Sequence, residues 1–223
     1  MTENKSSVYD ILRKKIVNLD LKPGEEIDIK EFSKKLGVSR SPLRDALLRL
    51  ASDKLVDIFP QKGTRVSLLN KEIIRQERFM RINLELSVLE ECMRKIEDNG
   101  RKKILCAKMQ TLLITQHASL MDDDKIGFFN DDDEMHHLIY QEAECEWIWE
   151  TLVSRTGNDS RIRVLSCELR GISDKIETEH KNLVGAIFRG NIEEAVRLEK
   201  EHLTRLYEEI EELEKNYPQY FEC

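Results

Sequence analysis

The chain has 223 residues, a formal net charge of −7 and 35 % charged side chains. Few aromatic residues, nine Gly and four Pro favour helices over sheets, and the length suits one large or two modest domains. No apolar run approaches the ~18 residues of a membrane span, and no signal-peptide core is present at the start. We therefore expect a cytoplasmic protein with no membrane partner. The cysteines, widely spaced and without a CxxC pair, argue against disulfides and a zinc knuckle.

The charge is distributed unevenly along the chain. Residues 1–70 hold 14 Lys and Arg against 10 Asp and Glu, a net of +4. The remaining residues hold 22 against 33, a net of −11. A basic first portion suits a polyanionic partner such as DNA, and the acidic charge belongs to the remainder. We predict two domains, 1–70 and 71–223.

The first elements in chain order predict a helix-turn-helix. Four apolar residues at helical spacing mark a first helix: Val8, Ile11, Leu12 and Ile16. Asp28 precedes a short second helix that ends at Gly37. In the helix that follows, Ser41 is a candidate N-cap and Pro42 the first helical residue. Two short helices joined by a Gly-containing turn form the helix-turn-helix pattern.

The third helix carries arginines at its leading end. One face is apolar through Leu43, Leu47, Leu50 and Ala51. Arg40 and Arg44 stand off that face near the N-terminus, where Arg can bond a guanine edge and the first-turn amides face phosphate. Taken alone, the segment also fits a surface helix with a solvated basic edge. The elements on either side favour DNA binding.

Two short strands follow, at Leu55–Ile58 and Thr64–Ser67. They flank a turn whose tip, Lys62-Gly63, allows the backbone to approach a groove closely. This hairpin would form the wing of a winged helix.

In this order the elements resemble the GntR family of bacterial transcription regulators. The matching residues are Leu21-Lys22-Pro23-Gly24, the run from Gly37 to Leu50, and Pro60 to Val66. The resemblance implies DNA contacts from Lys30, Arg40, Ser41, Arg44, Lys62 and Gly63. Arg49, late in the third helix, could contact DNA or serve an intramolecular salt bridge.

From residue 71 onward, long helices separated by short breaks predict an all-α antiparallel bundle. The predicted helices cover 71–98, 101–121, 126–143, 146–155, 159–170, 172–189 and 192–215. The predicted fold class is mainly α: an N-terminal winged helix-turn-helix with a small β wing, followed by this helical bundle.

Four polar residues on apolar helix faces predict a divalent metal site. Asp132 and His136 are four residues apart and share a face. His180 and His202 each lie eleven residues from Asn191, so an antiparallel hairpin would place both about 15 Å from its turn. One carboxylate and three imidazoles suit Zn, Ni, Mn or Fe(II). Taken singly, each histidine could instead be a buried structural residue that only makes hydrogen bonds and binds no metal.

The second portion also resembles the FCD ligand-binding domain of the FadR subfamily of GntR regulators. The resemblance is carried by Asp132-Asp-Glu-Met-His136, Glu179 to Leu183, and Gly190 to Leu203. It implies that the metal helps hold a small carboxylate effector at which Arg81 points. An Arg81–Glu85 surface pair is the alternative for that arginine. Further candidate cationic groups are Arg161 and Arg163.

The sequence thus predicts a ligand-responsive transcription regulator, a repressor, and not an enzyme. A homodimer would place two winged helices on a palindromic operator in double-stranded DNA. A small organic acid would shift the operator affinity by binding two conformations unequally. Two alternatives stay open: a metal-dependent enzyme, and a regulator whose metal is purely structural or is itself the effector.

Overall fold

The computed structural model describes residues 7–97 and 99–222, and helices dominate it. The first elements are α1 (Val8–Val17), α2 (Ile29–Leu36) and α3 (Arg40–Ser52), followed by strands β1 (Val56–Phe59) and β2 (Gly63–Val66). The remaining helices are α4 (Lys71–Lys95), α5 (Asn99–Met121), α6 (Lys125–Glu142), α7 (Glu146–Arg155), α8 (Gly157–Ser166), α9 (Ile172–Arg189), α10 (Ile192–Thr204) and α11 (Leu206–Asn216). A short 3-10 helix spans Pro218–Tyr220. The predicted fold class, a winged helix-turn-helix followed by a helical bundle, is confirmed.

Local capping explains where the first two helices begin and end. The Ser7 hydroxyl accepts from the backbone N–H of Asp10, whose carboxylate accepts from the N–H of Ser7 in return. The Asp28 carboxylate caps α2 by accepting from the backbone N–H groups of Lys30 and Glu31. Gly37 ends α2 in the left-handed region, at φ 63°. These helices and α3 enclose one core, built from Leu12, Ile16, Leu43, Leu47 and Leu50.

The third helix starts earlier than predicted. Its N-cap is Ser39, and Arg40, Ser41 and Pro42 form its first turn, so the prediction of Ser41 as cap was wrong. Proline is tolerated at this later position because first-turn N–H groups have no partner inside the helix. Arg40 consequently lies at the very tip of α3.

The wing is a two-stranded antiparallel hairpin. Val56 pairs with Val66 and Phe59 with Gly63, which places Lys62 in the connecting turn. The segment before α2 runs beside β2, since the Ile27 N–H donates to the Thr64 carbonyl over 2.8 Å. The Val66 N–H also donates to the Glu25 carbonyl over 2.9 Å, so this segment holds the hairpin along the length of β2, while Lys62 and Gly63 at the tip stay exposed.

In the helical part, α5 packs between α6 and α9, while α10 packs against α9 and α4. The main core includes Leu89, Leu105, Met109, Ile139 and Ile187. The α9–α10 hairpin turns at Gly190, whose φ is 73°, and Asn191 caps α10 by accepting from the Glu194 N–H. This hairpin sets the relative height of His180 and His202.

Three predicted helices of the bundle differ from the structure. The helix predicted over 159–170 is α8, which begins at Gly157 and ends at Ser166. The first helix of the bundle ends at Lys95, before the predicted 98, and residue 98 lies outside the described residues. The prediction of one helix over 192–215 was wrong, because α10 ends at Thr204 and α11 begins at Leu206. Between them Arg205 keeps helical angles, and its carbonyl accepts from the Glu208 N–H three residues on. The ladder therefore tightens locally at this arginine.

The end of the chain is tied to the connection between the two parts. The Leu69 N–H donates to the Tyr220 carbonyl over 2.7 Å, and the Glu222 N–H donates to the Leu69 carbonyl over 3.0 Å. Phe221 and Leu69 join a separate core with α8 and α11. None of the described helices is long and apolar enough to cross a membrane.

Gly190, which follows the last residue of α9, and Gly185, which lies inside α9, allow a matched test of the hairpin turn. Gly190→Ala is expected to lower the free energy of unfolding by about 1 kcal/mol, because alanine is strained at positive φ. Gly185→Ala lies in the helix interior, where a new Cβ would meet only the flexible end of Arg189. It is expected to be neutral or to stabilise by up to about 1 kcal/mol. Urea unfolding of both variants checks this, and equal effects would contradict it.

Candidate functional site

Four predicted ligand side chains meet at the centre of the helical bundle. Asp132 and His136 come from α6, His180 from α9 and His202 from α10. One potential ligand atom from each lies within 4.8 Å of all the others, and all four residues are buried. The imidazole centroids are separated by 4.7 to 5.7 Å. The α9–α10 hairpin and one face of α6 therefore build a single cluster.

Two of the histidines are held from behind through Nδ1. The His180 Nδ1 lies 3.0 Å from Oε1 of the buried Gln116, and the His202 Nδ1 lies 2.8 Å from Oε2 of Glu179. An oxygen at this position makes Nδ1 the protonated nitrogen and leaves the Nε2 lone pair for another partner. Such partners fix tautomer and ring orientation in metal sites.

His136 is held by two buried carboxylates. Its Nδ1 lies 2.6 Å from Oε2 of Glu85 and 3.1 Å from Oε1 of Glu199. Burial alone lowers the pKa of His136, but the two carboxylates outweigh burial and raise this pKa to about 10. Burial raises the pKa of Glu85, whereas Arg81 and His136 hold it well below its usual range.

Asp132 supplies the negative charge of the cluster. Burial raises its pKa, but Arg163 and then His180 hold it well below the usual range, so the carboxylate is ionised. Burial and the neighbouring His202 keep the pKa of His180 well below its usual range, so this ring is neutral. An ionised carboxylate beside a neutral imidazole is the protonation state in which both can ligate a metal.

The donor set fits a divalent cation. The Nε2 atoms of His136 and His180 are buried and make no hydrogen bond within the described part of the chain, although the His180 Nε2 lies 3.3 Å from Oδ1 of Asp132. Leaving buried polar atoms unpaired is costly, and a cation would satisfy both. Three imidazole nitrogens and one carboxylate oxygen are ligands that Zn and other first-row metals accept.

A narrow cavity of about 20 Å³ adjoins the cluster. Asp132 and His202 line it together with three arginines: Arg78, Arg163 and Arg205. Each arginine also contacts carboxylates, for example Arg78 with Asp159 at 2.7 Å. A cavity of this size holds about one water molecule. A larger anion could enter only if these side chains moved.

The predicted effector arginines occupy different places. Arg163 lines the cavity and contacts Asp132. Arg81 is buried and pairs with Glu85, so the alternative pairing exists but not at the surface. Arg161 faces away from the cluster toward the wing: it donates to Asn158 Oδ1 over 3.0 Å and to the Ser67 carbonyl over 2.5 Å.

Sequence reasoning missed two of the cavity arginines. Arg78 lies three residues before Arg81, and Arg205 lies three residues after His202. In each case the spacing puts the arginine on the face of a residue already identified. The helical spacing from Arg81 and from His202 therefore predicts that Arg78 and Arg205 face the same site.

A continuous set of buried polar contacts links the cluster to the wing. Its wing end is Arg161, which joins the Ser67 carbonyl at the end of β2 to Asn158. The Asn158 amide donates to Oε1 of Glu77 over 2.9 Å, and the Asp159 N–H donates to Oε2 of Glu77 over 2.8 Å. These contacts connect α8 to α4.

The same set continues along α4 toward the histidines. The Asp159 carboxylate lies 2.7 Å from Arg78 Nε and 3.7 Å from Arg81. Arg81 pairs with Glu85, which contacts His136. The path from the wing to a candidate metal ligand therefore contains no apolar gap.

The predicted DNA-contacting side chains lie at the surface of the first part. Arg40, Ser41 and Arg44 are exposed at the start of α3. Lys30 is exposed on α2, and the wing tip carries Lys62 and Gly63, also exposed. Arg49 differs, because its guanidinium lies 3.9 Å above the ring of Tyr9. Its contact within the domain is thus a cation–π contact instead of the salt bridge considered from the sequence.

The two remaining histidines lie outside the cluster. His137 stacks on Trp149 with a centroid distance of 5.0 Å, and its Nε2 lies 2.7 Å from Glu146. His117 contacts Glu177. Both are natural controls for the three clustered rings.

Comparison with known proteins gives two family matches. Residues 4–66 match the family described as bacterial regulatory proteins, gntR family, and residues 78–205 match the FCD domain. The HTH-type transcriptional repressor RspR of Escherichia coli (strain K12) is 26 % identical over 214 residues, covering 96 % of this chain and 92 % of that protein. An HTH-type regulator from an unstable DNA locus of Streptomyces ambofaciens is 24 % identical over 218 residues, covering 98 % and 89 %.

Solved structures show the same fold. Escherichia coli McbR/YncC superposes with a TM-score of 0.76 at 20 % identity, covering 94 % of this chain and 96 % of that one. A GntR transcriptional regulator from Rhodococcus sp. RHA1 gives 0.74 at 20 % identity, covering 92 % and 95 %.

Proposed function

Because the chain belongs to the gntR family of bacterial regulatory proteins and carries an FCD domain, it is a DNA-binding transcription regulator, and we propose that it is a dimeric repressor controlled by a small carboxylate through a divalent metal. One observation carries the proposal: Asp132 and three histidines converge, with the Nδ1 atoms of the rings engaged from behind. The repressor assignment is supported by the relative RspR, which is named a transcriptional repressor.

The residues that would hold the metal are Asp132, His136, His180 and His202. A divalent cation there supplies a Lewis-acidic position for a carboxylate oxygen. With its pKa raised to about 10, the free His136 ring carries a proton on each nitrogen. A cation bound at Nε2 would displace the proton there, while Glu85 and Glu199 would keep Nδ1 protonated. Because ligation needs a neutral ring, metal affinity falls as pH falls.

The cavity arginines give the effector its chemical class. Arg78, Arg163 and Arg205 offer guanidinium donors suited to paired carboxylate oxygens. Among the side chains that line the cavity, the three arginines and a bound divalent cation would outweigh the negative charges of Asp132 and Glu209. Asp159, Asp133 and Glu179 pair with the same arginines from behind. A compact organic acid fits this surrounding better than a long apolar chain.

The output side of the proposal is the exposed start of α3 together with the wing. Arg40 and Arg44 would reach base edges in the major groove, while Lys30, Ser41 and the wing residues Lys62 and Gly63 would contact the backbone or the adjacent groove. Two copies related by a two-fold axis would read the two halves of a palindromic operator.

The buried polar contacts from Ser67 to His136 would transmit a change at the metal cluster to the wing. Closure of the cavity arginines on an acid would alter the partners of Asp159 and therefore of Glu77, Asn158 and Arg161. The effector changes operator affinity only by the difference in its binding free energy between two conformations. Arg161 is thus proposed as a link to the wing and not as an effector ligand.

A second candidate is a regulator whose metal is structural or is itself the signal. It is favoured by the small cavity of about 20 Å³. Thermal stability and DNA affinity, measured with and without metal and with a panel of small mono- and dicarboxylates, separate the two. If added acids change neither quantity in the metal-loaded protein, the carboxylate sensor is wrong and the second candidate stands.

The recognition helix is tested with DNA selected from a random library by the wild-type chain. Arg40→Ala and Arg44→Ala are each expected to weaken binding at fixed salt by about tenfold or more, the cost of a lost bidentate base contact. Arg197→Ala, an exposed arginine on α10 paired with Glu201, is the control and should leave affinity unchanged. Unaltered binding by both α3 variants, measured by fluorescence anisotropy, would refute the assignment.

The metal site is tested by comparing histidines inside and outside the cluster. His180→Gln is expected to abolish the binding of about one Zn²⁺ per chain and the thermal stabilisation that Zn²⁺ gives to the folded state. His137→Gln should retain both, because His137 lies against Trp149. Metal content by mass spectrometry and melting curves check this. Retention of wild-type metal content by His180→Gln would count against the site.

Coupling to the wing is tested at Arg161. For the Zn²⁺-loaded protein, the ratio of DNA affinities with and without the panel acid that shifts the wild type most is expected to fall close to one in Arg161→Met, because the donor to the Ser67 carbonyl is lost. Arg155→Met is the matched control, since Arg155 also reaches the first part of the chain, at Asp53, but outside the linked contacts. Equal ratios in the wild type and Arg161→Met would contradict the route. Circular dichroism establishes that both variants are folded.

A further inference from the structure

The outer face of α5 carries an exposed row of apolar and small side chains. Its members repeat at alternating intervals of three and four residues: Ile104, Ala107, Thr111, Ile114, Ala118 and Met121. Ile114 and Met121 are each 71 % exposed and Ile104 is 57 % exposed. This spacing is the a/d pattern of a helix that packs lengthwise against another helix. At ~1.5 Å per residue the row is about 26 Å long.

The opposite face of α5 already has its partners. Leu105, Met109 and Leu113 are buried against α6 and α9. The outer row therefore is not needed for the core of the chain. The one hydroxyl within the row, on Thr111, donates to the Ala107 carbonyl over 3.1 Å. Its methyl group can thus be buried without leaving the hydroxyl unpaired.

Charges at the two ends of α5 are opposite in sign. Arg101-Lys102-Lys103 stands at its beginning and Asp122-Asp123-Asp124 follows its end. Both triplets lie at the same distance in sequence from the midpoint between residues 112 and 113. The same midpoint pairs Ile104 with Met121, Ala107 with Ala118, and Thr111 with Ile114. An antiparallel copy of α5 would therefore match both the apolar row and the charges.

Several of these end charges lack a partner within the chain. Lys102, Lys103, Asp122 and Asp123 make no ion pair among residues 7–97 and 99–222, whereas Arg101 pairs with Glu142. Beside the row, α5 and α6 form an open groove of about 430 Å³ that includes Thr111, Leu112 and Leu138. The outer face of α5 thus provides a packing surface for a second helix, with unpaired charges at both ends.

We propose that the outer face of α5 is the two-fold interface of the homodimer, with α5 of a second copy packed antiparallel against it. The inference rests on the proposed function for the dimer itself and adds which face forms it. A two-fold axis makes one patch contact itself, so a self-complementary row with opposite charges at its ends is the pattern such an interface requires. The basic beginning of one α5 then meets the acidic end of the other.

Charge reversal tests the antiparallel arrangement in the full chain. Lys102→Glu/Lys103→Glu would make both ends of α5 net acidic, and Asp122→Lys/Asp123→Lys would make both ends net basic. Each double variant is expected to raise the dimer dissociation constant by about tenfold at low salt. The four changes combined should restore it, because the opposite signs are re-established. Failure of the combination to recover affinity, although each half weakens it, would overturn the antiparallel pairing.

Replacement within the apolar row tests the face itself. Ile114→Lys is expected to weaken the dimer strongly, by about a hundredfold, because a charge would be buried near the two-fold axis. Trp147→Lys is the control, since Trp147 is 74 % exposed but lies on α7. Sedimentation velocity of the wild type and both variants over a range of concentrations gives the dissociation constants.

The outcomes separate this inference from the proposed function. A wild-type dimer that is weakened by Ile114→Lys and not by Trp147→Lys supports the α5 interface. A wild-type dimer that is unaffected by Ile114→Lys overturns the α5 interface and leaves the dimeric regulator intact. A wild type that is monomeric at every concentration, with and without Zn²⁺ and selected DNA, overturns both.

Discussion

Charge buried at the centre of the helical bundle must be compensated, and the positions of the surrounding polar side chains follow from that requirement. Glu85, Asp132 and Glu199 lie beside three imidazoles, where an unpaired ion would cost several kcal/mol. Each carboxylate is consequently close to a cation or a ring nitrogen, and each ring has an oxygen behind it. The geometry of the candidate metal ligands is thus a consequence of satisfying buried charge. The helices that carry these carboxylates and rings contact one another in turn: α6 packs on α4, α4 on α10, and α10 on α9.

The same constraint extends from the bundle to the DNA-binding part. Arg161 is fully buried, and the available acceptor on its wing side is a backbone carbonyl, that of Ser67. Burial of this guanidinium, lowering its pKa to about 10, makes the contact with Asn158 and Ser67 more than a surface link. Rearrangement of partners near Asp159 therefore has a physical means of reaching the wing. A sensor whose two parts met only through apolar packing would lack this directional connection.

Much of the fold could be predicted because its signals are local. Capping at Asp28, the left-handed Gly37 and the apolar spacing of α3 depend on neighbours within a few residues. The errors also have local causes. Proline is accepted anywhere in a first helical turn, so Pro42 did not fix the start of α3. No glycine or proline marks the interruption at Arg205, because that residue keeps helical angles.

Local sequence was enough to predict the helix-turn-helix and the helical bundle, the ligand-type residues on α6, α9 and α10, and the arginines at the start of α3. Periodicity and residue chemistry are sufficient for these. Three features depend on packing between distant segments: Arg161 turns toward Ser67, Arg78 and Arg205 join Arg163 around the cavity, and Glu85 and Glu199 lie behind His136. Helical spacing fixes the face on which a side chain lies, but not which distant helix supplies its partner. That choice is made by packing, because a buried charge must find its counterpart wherever the fold brings one near.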